Sequence, residues 1–144
     1  MTPDPVLVTM VKVDAATAGL DPALVCAVIE QESSWEPMSW RYEPAFYQKY
    51  IVPMGLHDQV EAFMRSTSWG LMQVMGEVAR EQHFSNALLS DLCDPKLGVE
   101  QGLQHLKRMI AISPPGDIHT ALQHWNGGGN PNYAAEVMAR MSKY

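Results

Sequence analysis

The sequence predicts an all-α chain with one irregular inserted lobe at residues 38–65, and three observations predict it. Runs of alternating β-branched residues are few, leaving room for no more than a short ribbon. Helix punctuation is frequent: Asp21-Pro22 and Asp117 are start signals, and Gly19, Pro37 and Ser113-Pro114-Pro115-Gly116 are stops. Between these signals apolar residues recur at the spacing of one helix face. At 144 residues, 47% of them hydrophobic, residues 1–144 fit a single domain that can bury a core without covalent staples.

A first helix is expected over Asp4 to Ala18, ending at Gly19. The second, over residues 22–33, is the best marked: Asp21 can cap it, Pro22 suits its first position, and Leu20 and Val25 are spaced for a hydrophobic staple. Pro37 bounds its far end. Residues 38–65 are rich in aromatics and hold Pro44 and Pro53, so they break the helical pattern. Gly70 to Glu81 forms or leads into another helix. Pro95 to Ile112 reads as a long one, with Val99, Leu103, Leu106 and Ile110 along one face. Asp117 caps a short helix to Trp125, a glycine-rich loop follows from Gly127 to Pro131, and Asn132 or Tyr133 opens the last helix.

The formal net charge of −6, with only ten Lys and Arg scattered along the chain, argues against nucleic acid as a partner. It argues equally against passive attraction to any anionic polymer. No apolar stretch approaches the roughly 20 residues of a membrane span, and no basic segment precedes an apolar one at the N-terminus, so neither a span nor an export signal is expected. The five histidines form no ligand pair, and neither metal nor cofactor is expected. Cys26 and Cys93 lie apart in apolar surroundings and read first as buried free thiols, with a disulfide as the lesser alternative.

Glu32 stands out on the second helix. At roughly 100° per residue, Leu24, Val25, Val28 and Ile29 fall within an arc of about 140°, and Glu32 lands near its middle. Glu30 falls on the opposite side and reads as ordinary solvated charge. A carboxylate on a buried stripe, in the last turn where the helix dipole disfavours negative charge, tends to stay protonated. That is the state a general acid needs. Periodicity alone also allows Glu32 simply to pair with Arg41 or Arg65.

The motifs add to this. Ala27 to Pro37, AVIEQESSWEP, resembles the opening motif of the lytic transglycosylase and goose-type lysozyme family, in which a helix ends in a catalytic Glu followed by Ser. Gly70-Leu71-Met72-Gln73 is similar to the family's second motif, Asp94-Pro95 with Gly102 and Leu106 to its Asp-Pro helix, and Ala121 to Gly128, ALQHWNGG, to its Ala-Tyr-Asn-Ala-Gly motif. Tyr133 and Val137 fit the closing helix. The resemblance implies a lysozyme-like helical fold with a cleft for alternating N-acetylglucosamine and N-acetylmuramic acid.

It puts catalysis on Glu32, with Ser33 orienting Glu32 or the substrate, Met72 and Gln73 lining the cleft, and Asn126 touching sugar or the active-site loop. The residues themselves allow plainer roles: Met72 as core, Ser33 as a helix-end cap, Asn126 as a turn residue. Where the family has a Tyr whose hydroxyl faces the catalytic Glu, this chain has Trp125, which donates a hydrogen bond but cannot accept one. Tyr133, Tyr42 and Tyr47 are candidates for the missing hydroxyl. Gly98 replaces the family's usual Asn.

Glu32 and Gly70 are farther apart in sequence than the family's usual spacing. Within the insert, Trp40-Arg41-Tyr42-Glu43-Pro44 is similar to a segment of some phage-type muramidases, which makes Glu43 the candidate second carboxylate. A base roughly 6.5–9.5 Å from Glu32 would make the enzyme an inverting hydrolase. Without one, the muramic 6-hydroxyl attacks and a 1,6-anhydro product forms. Glu43 could instead only bridge Arg41 or Lys49. Three readings therefore stand: lytic transglycosylase, muramidase, and a non-catalytic peptidoglycan-binding or structural module. A monomer is expected, acting in the periplasm or on the cell wall as a phage lysis protein or one delivered by other machinery.

Overall fold

The computed structural model describes residues Thr2–Tyr144. In chain order the elements begin with α1 (Pro5–Thr17), α2 (Pro22–Ser33), β1 (Trp40–Tyr42) and the single turn α3 (Pro44–Phe46). A π-helical stretch, Tyr47–Ile51, and a 3-10 turn, Val52–Met54, lead to α4 (Gln59–Arg65), β2 (Thr67–Trp69), β3 (Val74–Met75) and α5 (Gly76–Glu81). After a second 3-10 segment, Leu89–Cys93, come α6 (Pro95–Ala111), α7 (Ile118–Asn126) and α8 (Tyr133–Arg140), and a last 3-10 turn, Met141–Lys143. The chain is mainly helical, as its punctuation predicts, and the ribbon is a three-stranded antiparallel sheet in the order β1-β2-β3. Two compact units divide it: residues up to Trp35 with Gly102–Tyr144, and Glu36–Gln101.

In the first unit α2 is the central helix. Asp21 accepts from the Ala23 N–H at 2.9 Å and caps it as expected. Every residue from Leu24 to Ile29 is buried, so α2 is enclosed on all sides rather than along one stripe. Val11 and Ala15 of α1, Ala121 and Leu122 of α7, and Ala134 and Val137 of α8 complete this core. Burying each Val or Ile of α2 contributes roughly 1.5–3 kcal/mol.

The helix stops before Pro37. Ser34 (φ 52°) and Trp35 (φ 66°) both adopt the left-handed conformation, which costs an ordinary residue about 1–2 kcal/mol. Burial of Trp35, whose indole N–H donates to Tyr144 Oη at 2.8 Å, offsets that strain. Glu30 is not ordinary solvated charge. It receives Lys143 Nζ at 2.5 Å, Arg140 at 3.1 Å and Tyr144 Oη at 2.9 Å. Burial works against its ionised form, but the hydrogen bonds from Lys143 and Tyr144 outweigh it and hold the carboxyl below its usual range.

In the second unit the insert does not stand alone. Its strand β1 pairs with β2 in the register Trp40↔Trp69, Arg41↔Ser68, Tyr42↔Thr67, so residues 38–65 share one compact unit with the segment that follows. Gly70 to Gln73 is the turn joining β2 to β3, and α5 begins only at Gly76. Glu61 of α4 receives Arg80 at 2.6 Å and Arg65 at 2.9 Å, and Arg65 reaches Glu77 at 3.0 Å, tying α4 to α5.

Along α6, Val99, Leu103 and Leu106 are buried as expected. The last buried place is taken by Met109, and Ile110 is only partly covered. Cys26 and Cys93 are both free and buried, and burial pushes the Cys26 thiol up to about 11, which makes it a poor nucleophile. Among the described residues no helix is long and apolar enough to cross a membrane.

Candidate active site

Glu32 sits in the last turn of α2, where the helix emerges from the core, and it is partly exposed. Two donors converge on one of its oxygens: Tyr133 Oη donates to Oε1 at 2.5 Å, and Trp125 Nε1 donates to the same Oε1 at 3.0 Å. Trp125 lies in the last turn of α7 and Tyr133 opens α8, so the loop between these helices sets the geometry. Gly127 ends α7 with φ 73°. Asn126, its amide oxygen turned toward the loop, accepts from the backbone N–H groups of Asn130 at 2.8 Å and Gly129 at 3.1 Å. Gln123 donates to Pro131 O at 2.8 Å. Asn126 is therefore a brace of the loop beside the site.

A second tier supports this hairpin, and sequence reasoning missed it. Glu136 of α8 accepts from Gln31 at 2.7 Å and from Asn130 at 3.0 Å, and Arg140 donates to Gln31 at 2.8 Å. Glu30, Gln31 and Glu32 thus all anchor α2 to the C-terminal segment, with Arg140 reaching both Glu30 and Gln31. The His105 ring packs 5.2 Å from that of Trp125. Burial, and then the Arg108 charge, hold His105 below its usual range, so it backs the indole as a neutral ring. Gln31 and His105 lie in helices whose boundaries were predicted, but nothing local in the sequence says what they meet.

Tyr133 is 3% exposed, and burial, followed by the charge of Glu32, raises its phenol pKa far above the ordinary value. It stays a donor at any physiological pH. Of the three tyrosines considered for the missing hydroxyl, Tyr133 supplies it. Trp125 takes the place expected of the family's Tyr and supports Glu32 by its N–H. With two donors on Oε1, negative charge on that oxygen is stabilised when the carboxyl gives up its proton.

The other expected residues fall differently. Ser33 is buried and its hydroxyl donates to Ile29 O at 3.1 Å, so it finishes the helix. Met72, expected to line the cleft, has 0% exposure. It lies in the turn after β2, and its side chain is fully buried among the core residues. Gln73, in the left-handed conformation (φ 49°), accepts from Ser68 Oγ and donates to Gly70 O and Ser39 O at 2.8 and 3.1 Å. Its amide pins the turn instead of reaching outward. Glu43 receives Arg41 Nε at 3.0 Å and its side chain is 34% exposed. Arg65 is engaged by Glu61 and Glu77.

Residues 9–140 match the family model described as Transglycosylase SLT domain. No curated protein and no solved structure matches the chain.

Proposed function

Because the chain belongs to the transglycosylase SLT domain family, whose members are peptidoglycan-cleaving glycosidases, we propose that it is a lytic transglycosylase in which Glu32 is both acid and base. The bond cleaved is the β-1,4 link from N-acetylmuramic acid to N-acetylglucosamine. The observation that carries this reading is the pair of donors, Tyr133 and Trp125, on the single oxygen Oε1 of Glu32. Glu32 protonates the leaving glycosidic oxygen while the 2-acetamido oxygen of the muramic residue closes on C1. The resulting carboxylate is held by the two donors. It then takes the proton of the 6-hydroxyl as O6 attacks C1 and displaces the acetamido oxygen, leaving a 1,6-anhydro end and a neutral Glu32. The reading extends to action on the wall, in the periplasm, as a monomer.

Mass spectrometry of products from purified peptidoglycan tests this: muramic ends lighter by one water are expected, and reducing muramic ends alone overturn it. A second reading, an inverting muramidase, takes Glu43 as its base, a carboxylate that is partly exposed although Arg41 bridges it at 3.0 Å. Glu43→Gln separates the two, since it cripples an inverting hydrolase and leaves a transglycosylase within about tenfold of full rate.

Tyr133→Phe removes one donor from the carboxylate while keeping the buried ring. It is expected to lower kcat roughly 10- to 100-fold with little change in KM, because the hydroxyl acts on Glu32 and not on bound sugar. Steady-state kinetics on solubilised glycan strands check it.

A further inference from the structure

The second unit carries a row of aromatic rings that neither the fold nor the Glu32 chemistry accounts for. Trp40 lies 6.3 Å from Trp69, its cross-strand partner, and 6.4 Å from Phe63 of α4. Phe63 stacks on Tyr42 at 4.9 Å, and Tyr42 meets Tyr47 at 6.2 Å. Trp69 is buried, its indole N–H donating to Met64 O at 3.0 Å, and it anchors the row. Beyond it the rings come to the surface: Trp40 is 56% exposed and Phe63 39%, with Tyr42 and Tyr47 partly covered.

We infer that this row is a glycan-binding surface, with Trp40 as its main stacking ring. The inference rests on the functional reading above. Residues two apart on a strand share a face, so Trp40 and Tyr42 form one aromatic side of β1, while Arg41 occupies the other. Trp40 is held from behind by two rings, which fixes its orientation before any ligand arrives and reduces the ordering cost of binding. Contiguous exposed apolar patches mark interaction sites, and Trp40 and Phe63 are neighbouring exposed rings.

The chemistry of the row selects the occupant. A pyranose offers a C–H face bordered by hydroxyls, and the row offers ring faces with phenol groups at its Tyr42 and Tyr47 end. At a net charge of −6 the chain is not drawn to an anionic polymer by long-range attraction, and ring stacking on a sugar face needs no opposite charge.

The test titrates glycan strands freed of peptide into Glu32→Gln, which holds them uncleaved, with and without a change at Trp40. Trp40→Ala is expected to weaken binding about tenfold, Trp40→Leu to do the same although it keeps apolar volume, and Trp40→Phe to restore most of the loss. In the chain with Glu32 intact, Trp40→Leu is expected to raise KM with kcat nearly unchanged. Equal affinity for all four chains overturns the inference. So does an intact glycan affinity in Trp40→Leu accompanied by lost adsorption to phosphatidylcholine vesicles or a lost dimer in sedimentation, which would assign the row to lipid or to a second copy. The titration reads binding without turnover, so it is decided separately from whether the native chain cleaves peptidoglycan.

Discussion

Glu32→Gln is expected to reduce turnover on purified peptidoglycan by at least about a thousandfold while leaving the thermal midpoint almost unchanged. A general acid contributes typically 10²–10⁴-fold, and here one carboxyl serves both proton transfers, so the upper part of that range applies. A thousandfold corresponds to about 4 kcal/mol of lost transition-state stabilisation. The substitution is gentle on the fold because a glutamine oxygen in the place of Oε1 still accepts from Tyr133 and Trp125. Glu32→Ala would be a poorer test. It strands two donors, one of them on a side chain that is almost fully buried, at about 1–3 kcal/mol each. Wall-clearing at the native rate by folded Glu32→Gln would refute the assignment of catalysis to Glu32 and leave the chain as a binding module.

Gly70→Ala is expected to cost roughly 2–5 kcal/mol of stability, the sum of a left-handed penalty of about 1–2 and an overpacking cost of about 1–3. At φ +73° a Cβ on residue 70 would lie 2.3 Å from Leu92 O, a backbone atom that cannot rotate away. Gly98 of α6 meets the same carbonyl, also at 2.3 Å, so Leu92 O is clasped between two glycines. This gives a physical reason for Gly98 where the resembling family has Asn: no side chain fits there. Gly19→Ala is the matched control, since Gly19 has φ +78° with nothing within 4 Å of its Cβ position. It should lose only the left-handed penalty. Thermal melts followed by circular dichroism should put Gly70→Ala about 10 °C below the native chain and Gly19→Ala within a few degrees of it. Equal shifts for the two would remove the clash from the account.

Much of the helical frame was legible because its signals are local. Asp21-Pro22 starts α2 and Asp117 starts α7 where the caps predict, and α8 opens at Tyr133, one of the two starts expected for it. The sheet was harder to read. A three-residue strand such as β1 has too few positions to show alternation, and its partner β2 is buried at every residue, so neither carries a period-two pattern. Glu32 was legible as a carboxylate out of place, but for a reason that needed correction. The stripe it seemed to share is a helix buried all round, and Glu32 matters because it lies where that helix leaves the core. Met72 shows the converse: its motif is legible, yet the motif's role at that position is packing.

What the sequence by itself determined, then, is where the helices begin and end and which carboxyl stands at the end of α2. Capping and periodicity act over a few residues and need no knowledge of the rest of the chain. Only the tertiary structure decided what surrounds that carboxyl. Trp125 and Tyr133 reach Glu32 from 93 and 101 positions away, and Gln31 meets Glu136 across 105. Contacts at such separations leave no local trace, because they are set by how α7, the glycine loop and α8 pack against α2, and by nothing in the residues immediately around any one of them.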